Sequence, residues 1–279
     1  MKAPITRILV PLDPSEFAQA ATETACLIAT KHQAQVAGIA VLDLPEIQSH
    51  IMPAAGPYYP FMGDAIEKET RHADRVLKDC LTRFAQTCDA ADVPHLETEY
   101  TGIPAQKFLE SSIFYDLIVT GLKNSFHFGT REEGDPLHKL LDRTIAPVLA
   151  VPSCGTKGFQ KVLIAFDGSF GSARAMQDFV SLALPYDLSI TVAVADKPEK
   201  ETSFLLRQAI AYLRAHGLSR IETLSSDGPI EEVITDSVLD ASDLVVAGIH
   251  SRKFIRDCFI GSFTNQLMKR GDTPLFLSH

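Results

Sequence analysis

The chain has 279 residues, of which 46% are hydrophobic, and this length suggests two domains that each bury an ordinary core. Its 26 Lys and Arg against 35 Asp and Glu give a net charge of −9, which argues against a general nucleic-acid-binding protein because phosphate backbones require clustered basic residues. No apolar run approaches the roughly 18–20 residues of a membrane helix, so we expect no membrane insertion.

Strand and helix patterns alternate through the first half. The apolar run Arg7–Leu12 does not alternate with polar residues, as expected for a parallel strand buried on both faces, and Ser15 is a candidate cap of the next helix. Leu44–Met62 is rich in Pro, Tyr and Phe without a regular period, which predicts an ordered loop that is either a lid over the first half or packing between the domains. The remaining predictions are strands at Val36–Val41, His95–Tyr100, Tyr115–Gly121 and Val148–Val151, and helices through His32, at Asp64–Cys88, from Ala105 and from about Pro136.

The second half repeats this order after a linker, Pro152–Phe159, so we expect domains at 1–152 and 160–279. Its predicted strands are Lys161–Phe166, Ser189–Ala195, Arg220–Leu224, Leu244–Gly248 and Leu275–Leu277, and its predicted helices are Gly171–Leu184, Lys200–His216, Ile230–Leu239 and Ser262–Arg270. Alternating strands and helices indicate an α/β fold with parallel sheets and right-handed crossovers. Ligands of such sheets bind beyond the C-terminal strand ends, where Asp13, Asp167, Gly121 and Gly248 are predicted to lie.

The two halves are copies of one unit. Asp13 aligns with Asp167, and the run Asp116 to Gly121 aligns with the run Asp243 to Gly248. The closing strands, which begin Pro147-Val148 and Pro274-Leu275, match at the same spacing of 127 residues. Because Asp13 and Asp167 are 154 residues apart, the first copy carries roughly 27 extra residues between its first and fourth strands.

A phosphate-binding pattern follows the fourth strand of the second copy. It has Gly248, two intervening residues, Ser251, nine further residues, and then Gly261-Ser262 at the start of a helix. Small residues let the backbone approach a ligand, and a helix start offers free N–H groups and a dipole that favours an anion. The segment therefore indicates a nucleotide or phosphate ligand.

Together, these repeated motifs resemble the universal stress protein family in its tandem form. The resemblance covers nearly the whole chain. Two further motifs carry it: Asp167-Gly168-Ser169 follows a first strand, and Gly102-Ile103-Pro104 precedes a third helix. The second of these is loosely repeated as Asp227-Gly228-Pro229. It implies two Rossmann-like domains, each with a five-stranded parallel sheet flanked by helices. It also implies that the two domains pair through their last strands within the chain, with a further homodimer and protein partners as possibilities.

The resemblance further implies that the second domain binds ATP or another adenine nucleotide. Asp167 would accept hydrogen bonds from ribose hydroxyls or the base amine, strand-two backbone would hold the adenine edge, and the loop with Gly261-Ser262 would hold ribose and phosphates. His250 and Lys253 could add positive donors, and Mg²⁺ is possible although no acid pair indicates it. The implied site residues are Ala165, Asp167, Ser169, Val194, Gly248, His250, Ser251, Lys253, Gly261, Ser262, Phe263 and Thr264.

The first copy departs from the pattern, reading Gly121, then Asn124, then Gly134-Asp135. Asp135 stands where the second copy has Ser262 and would repel phosphate, and Pro14 removes a backbone donor beside Asp13. We therefore expect the first half not to bind ATP in the family's manner. It would bind something else or serve as a structural partner of the second half.

Four classes of function compete. The leading expectation is a cytoplasmic nucleotide-binding stress protein without efficient turnover. No P-loop or Gly-x-Gly-x-x-Gly fingerprint supports an enzyme, although slow ATP hydrolysis stays open. A response-regulator receiver would need paired acids after the first strand and a Lys near the fifth, and neither is present. A scaffold without ligand is the fourth class.

Five cysteines, Cys26, Cys80, Cys88, Cys154 and Cys258, lack paired spacing, which favours free thiols in a reducing cytoplasm.

Overall fold

The computed structural model describes residues 4–51, 62–123, 136–141, 143–156, 158–249 and 262–278. The strands are β1 (Arg7–Pro11), β2 (Gln35–Leu42), β3 (His95–Thr101), β4 (Leu117–Gly121), β5 (Val148–Val151), β6 (Lys161–Ala165), β7 (Ser189–Ala195), β8 (Ile221–Ser226), β9 (Leu244–Gly248) and β10 (Leu275–Ser278). The helices are α1 (Glu16–His32), α2 (Leu44–Ile51), α3 (Met62–Ala90), α4 (Pro104–Ser112), α5 (Pro136–Leu141), α6 (Phe170–Ala183), α7 (Glu199–Ala215), α8 (Ile230–Val233), α9 (Asp236–Asp240) and α10 (Ser262–Arg270).

All ten strands form one sheet, in the order β3-β2-β1-β4-β5-β10-β9-β6-β7-β8. The first five strands make up one half of the sheet, here called the N-terminal half, and the last five make up the C-terminal half. Helices α1, α3, α6 and α7 cover one face, and α4, α5, α9 and α10 cover the other, each over a cluster of buried side chains that spans both halves. The predicted α/β class is confirmed, whereas the domain limits at 152 and 160 remain a prediction.

The two halves join where β5 and β10 run antiparallel, while the other strand pairs are parallel. Leu149 lies opposite Phe276, and both side chains are fully buried. The strand register also supports the repeat, because Gly121 pairs with Val151 as Gly248 pairs with Ser278. The pairing of last strands within one chain, which the resemblance implied, is therefore observed.

The aspartate that opens the repeated strand motif holds neighbouring backbone in both halves. Asp116 Oδ2 accepts hydrogen bonds from the backbone N–H groups of Thr6 and Arg7, at 2.8 and 3.0 Å. Asp243 Oδ2 accepts two equivalent bonds from Gln160 and Lys161. Although burial raises the pKa of Asp116, the bonds from Thr6 and Arg7 outweigh it and lower that pKa. This motif is thus explained by structure, because each aspartate secures the start of the adjacent strand.

The loop prediction for Leu44–Met62 is wrong at its beginning, where Leu44–Ile51 forms α2. Asp43 precedes this helix, and its Oδ1 accepts a hydrogen bond from the N–H of Glu46 at 3.0 Å. Pro45, a loop signal in isolation, falls in the first helical turn, where its fixed φ is compatible with a helix and its missing N–H costs nothing. Residues 52–61 of the predicted loop lie outside the described part of the chain.

The single helix predicted at Ile230–Leu239 is also wrong, since the chain forms α8 and α9 with a break at Ile234. Ile234 has φ −94° and ψ 75°, outside the helical region, and Thr235 starts the next helix in an extended conformation. The side chain of Ile234 is 3% exposed. The break therefore coincides with an apolar side chain that is buried in the core.

Candidate functional site

A cavity of about 460 Å³, here called the C-terminal cavity, opens at the C-terminal ends of β6, β7 and β9. The strand order reverses between β6 and β9, which is where open α/β sheets bind ligands. The volume falls within the roughly 300–1,000 Å³ of small-molecule sites. The described residues that line it are Ala165, Phe166, Asp167, Ser172, Ala195, Asp196, Lys197, Pro229, Ile230, Ala247, Gly248, Phe263 and Thr264.

Five residues that the sequence pattern indicated line this cavity. Ala165 and Gly248 end β6 and β9, and Asp167 follows β6 by two residues. Phe263 and Thr264 lie in the first turn of α10. The fold thus brings together residues from three separate segments of the sequence at one strand edge.

Of the remaining predicted residues, the structure describes Ser169, Val194 and the backbone of Ser262. Ser169 is the N-cap of α6, where its Oγ accepts a hydrogen bond from the N–H of Ser172 at 3.2 Å. Val194 is fully buried in the core, and its neighbour Ala195 forms the cavity wall. Ser262 begins α10. The predicted residues His250, Ser251, Lys253 and Gly261 lie outside the described part of the chain.

A tight turn fixes the position of the Asp167 carboxylate. Its Oδ1 accepts a hydrogen bond from the N–H of Ser169 at 2.9 Å, and Gly168 between them has a φ of 77°. An L-residue is strained at that angle, and a Cβ on Gly168 would also lie 2.7 Å from Leu205 Cδ2. The Asp-Gly-Ser sequence therefore serves both to start α6 and to place a half-buried carboxylate at the cavity edge.

Gly248 is required by close packing between β9 and α6. A Cβ added to it would lie 2.4 Å from the backbone carbon of Gly171 and from the backbone nitrogen of Ser172. Gly171 faces the same contact, because its own Cβ would lie 2.8 Å from the carbonyl oxygen of Ile249. The sequence pattern assigned this glycine to the close approach of a ligand. In the structure it also has a packing role, because it lets β9 and α6 lie close together.

Sequence reasoning missed two charged residues at the cavity, Asp196 and Lys197, which follow β7 directly. Asp196 has a φ of 54°, unusual for a residue other than glycine, and its N–H donates to the carbonyl of Gly228 at 3.0 Å. Lys197 Nζ lies 3.4 Å from Glu201 on α7. The available signal was their place at a strand's C-terminal end, the same criterion that selected Asp167.

The equivalent positions of the N-terminal half carry a different set of side chains. The strand registers of the two halves make Ala165 equivalent to Pro11, which is 154 residues earlier. At the same spacing, Ser172 corresponds to Ala18 and Lys197 to Asp43. Gly171 corresponds to Phe17, whose side chain fills space. At the spacing of 127, Thr264 corresponds to Leu137, which has no hydroxyl. Phe17 and Leu137 both pack in the apolar cluster on that face. The Thr264 hydroxyl and the positive charge of Lys197 thus have no counterpart at the equivalent described positions of the N-terminal half, whereas the carboxylate of Asp167 recurs as Asp13.

Helix α10, which carries Phe263 and Thr264, is held at its other end by Arg270. The guanidinium lies 2.8 Å from Asp236 and 2.7 Å from Asp272, and it also contacts Asp240. Its hydrogen bond to Asp272, together with the charge of Asp240, raises the pKa of Arg270. Because Asp236 and Asp240 belong to α9, this ion-pair group joins α10 to α9.

The family model described as the universal stress protein family matches residues 4–152, just over half of the chain. This chain belongs to the universal stress protein family. A curated relative, universal stress protein Slr1230 of Synechocystis, is 27% identical over 168 residues. The match covers 58% of this chain and 57% of that protein, so this universal stress protein spans little more than half the length of the curated relative it matches.

Two solved structures share the fold over nearly the whole chain. A universal stress protein from Archaeoglobus fulgidus superimposes with a TM-score of 0.70 at 17% identity, covering 98% of this chain and 97% of that one. A functionally unknown protein from Pseudomonas aeruginosa gives a TM-score of 0.61 at 16% identity, with coverage of 98% and 92%. At these identities the likeness establishes the fold, including its extent across both halves.

Proposed function

We propose that the C-terminal cavity binds an adenine nucleotide, ATP or AMP, and that the protein acts in the stress response by sensing this ligand or through protein partners. The observation that carries the proposal is the convergence of Asp167, Gly248 and Thr264, all implied by sequence, on one cavity at the strand-order reversal. A cytoplasmic location belongs to the same proposal.

The cavity walls suit a nucleoside. Ala165, Ala195, Ala247 and Ile230 present small or apolar surfaces, which leave room for a flat base between them. Asp167 presents a carboxylate, which accepts hydrogen bonds and offers none, matching the donor groups of ribose hydroxyls or an exocyclic amine. The lining therefore supports a ligand with an apolar ring and a donor-rich sugar.

The opposite side of the cavity suits an anion. Thr264 supplies a hydroxyl in the first turn of α10, where the helix dipole stabilises negative charge. Lys197 adds a positive charge at the end of β7 in a protein that is otherwise acidic. These features support phosphate groups directed towards the start of α10.

One site per chain is expected. At the equivalent places the N-terminal half has Leu137 for Thr264 and Asp43 for Lys197, so a hydroxyl is lost and a positive charge is reversed. A carboxylate near a phosphate is repulsive. The comparison supports a stoichiometry of one nucleotide for each chain.

Titration calorimetry with ATP tests the site through a matched pair of variants. Asp167→Asn keeps an oxygen for the N–H of Ser169 but removes the charge, and it should weaken binding roughly 10- to 100-fold, the effect of losing a charged hydrogen-bond acceptor. Asp13→Asn makes the same change at the pseudo-equivalent position and should leave affinity unchanged. Equal loss in both variants, or no loss in either, would contradict the assignment to the C-terminal half.

A second variant, Thr264→Leu, copies the N-terminal half into the C-terminal cavity. It should lower affinity for ATP more than for adenosine, because the hydroxyl is assigned to the phosphate side. Both ligands are measured on the same protein preparation, with circular dichroism as a check of folding. Equal effects on adenosine and ATP would remove Thr264 from the phosphate contacts.

A further inference from the structure

Two buried cysteines from different helices contact each other in the N-terminal half. Cys26 lies in the middle of α1 and Cys88 near the end of α3, with their Sγ atoms 3.7 Å apart and within a shared hydrogen bond. The residues are 3% and 0% exposed, and both belong to the core cluster on that face of the sheet. They are 62 residues apart in sequence, so their spacing gave no sign of this pairing.

We propose that Cys26 and Cys88 form a reversible disulfide when the protein meets hydrogen peroxide, which makes the α1–α3 contact a redox-modification site. A disulfide requires sulfur atoms about 2.05 Å apart, so each sulfur must move by only about 0.8 Å from its present position. Rotation about χ1 and small helix shifts supply movements of this size. The cysteine pair is separate from the C-terminal cavity, which lies in the other half of the sheet.

The two thiols have unequal properties that suit a stepwise reaction. The hydrogen bond with Cys88 lowers the pKa of the Cys26 thiol, and the same contact together with burial raises the pKa of Cys88. We assign the first attack to Cys26, which is the less deeply buried of the two, since the thiolate is the nucleophile and must meet the peroxide. Cys88, which keeps its proton, is the resolving thiol.

The reaction balances with peroxide as the oxidant. The Cys26 thiolate attacks one peroxide oxygen, the O–O bond breaks, and Cys26 sulfenic acid forms while hydroxide leaves and takes up a proton as water. Cys88 then attacks the sulfenic sulfur, the S–S bond forms, and a second water leaves with the proton of Cys88. Two thiols lose two electrons in total, and one peroxide becomes two waters.

Peroxide can reach this buried pair only through local opening, and we place that opening at the end of α3. Cys88 is two residues from the end of α3 at Ala90, and helix ends open more readily than helix centres. Cys80, a third buried cysteine of α3, is less suited because burial raises its pKa and outweighs the opposite effect of Arg83, which donates a hydrogen bond to its Sγ at 3.4 Å. Cys154 is exposed and would react independently.

Peptide mapping of the unaltered protein tests the proposal without any variant. The folded protein is exposed to hydrogen peroxide, remaining thiols are blocked with N-ethylmaleimide, and the digest is analysed by mass spectrometry. We expect a cross-linked peptide pair containing Cys26 and Cys88, lighter than the two free peptides by two hydrogens and lost after dithiothreitol treatment. Free, alkylated Cys26 and Cys88 after full reaction of Cys154 would overturn the proposal.

A thermal shift provides the second readout. The oxidised protein should unfold at a midpoint roughly 5–10 °C higher, because the cross-link restricts the unfolded chain, and dithiothreitol should reverse the shift. Cys80→Ser should retain the shift, whereas Cys26→Ser should abolish it. A shift that persists in Cys26→Ser, or that disappears in Cys80→Ser, would assign the effect to a different thiol and contradict the pairing.

Discussion

Leu149 and Phe276 lie opposite each other at the centre of the antiparallel strand pair that joins the two halves. They occupy the same place in the two copies of the repeat, so an approximate two-fold axis passes between them. Phe276 also packs edge-to-face against Phe179, with ring centroids 5.9 Å apart. The edges at which two separate five-stranded sheets would meet are thereby paired and buried within one chain.

This internal pairing predicts a monomer in solution. Light scattering coupled to size-exclusion chromatography should give a mass near 30.5 kDa across the micromolar range. A constant mass of twice that value would show that a further interface is stable, and it would place that interface outside the β5–β10 contact.

Gly248→Ala should destabilise the protein by about 1–3 kcal/mol or more, because the added methyl group has no space against Gly171 and Ser172. Urea unfolding measures this change in the absence of any nucleotide. Gly63→Ala is the matched control, since a Cβ there meets no atom within 4 Å and the helix prefers alanine. A neutral Gly248→Ala variant would show that the glycine serves the ligand alone.

Arg270→Gln should lower the free energy of unfolding by about 1–2 kcal/mol, since it leaves three carboxylates near one another without their shared cation. The loss should shrink in 1 M salt, which screens that repulsion. Arg143→Gln alters the corresponding exposed arginine of the first copy and should be nearly neutral. Equal losses in both variants would dismiss the ion-pair group as the link between α9 and α10.

His32 should make the contact between the two halves sensitive to acid. Its Nε2–H donates to the carbonyl of Leu182 on α6 at 3.1 Å, its ring lies near Tyr186, and burial lowers its pKa. The unfolded chain, with a histidine pKa of about 6.5, binds the proton more readily than the folded protein does. Stability is therefore lost as the pH falls through that value.

Urea unfolding at pH 7.5 and 5.5 measures this effect. The fall in the free energy of unfolding should be smaller in His32→Gln, whose amide can still donate to Leu182, than in the unaltered protein. His72→Gln, at an exposed position of α3, is the control and should leave the fall unchanged. Identical pH dependence in His32→Gln and the unaltered protein would contradict the prediction.

Much of the fold could be predicted from the sequence because each element has a strong local signal. Buried parallel strands are short apolar runs, and Ser15 and Ser169 cap the helices that follow β1 and β6, as their side-chain hydrogen bonds show. The repeat then fixed the order of elements, since Asp116 and Asp243 recur with the same structural role. Helix α2 and the break between α8 and α9 were missed because no local pattern marks them; Ile47 and Ile234 are both buried, and that burial depends on tertiary packing.

The candidate site was predicted less completely. Asp167 and Thr264 were found because a motif marks them, whereas Asp196 and Lys197 belong to no motif and reach the cavity only through the position of β7 beside β6. Val194 was predicted to hold the adenine edge through its backbone, and this stays a prediction; its side chain is fully buried, whereas Ala195 lines the cavity.

The most direct test of nucleotide binding is to purify the protein without added ligand, denature it, and identify by mass spectrometry what is released. We predict about one adenine nucleotide for each chain, greatly reduced in Asp167→Asn and retained in Asp13→Asn. Release of no nucleotide, together with no thermal shift on adding ATP, would contradict the account and leave a scaffold without ligand as the better explanation.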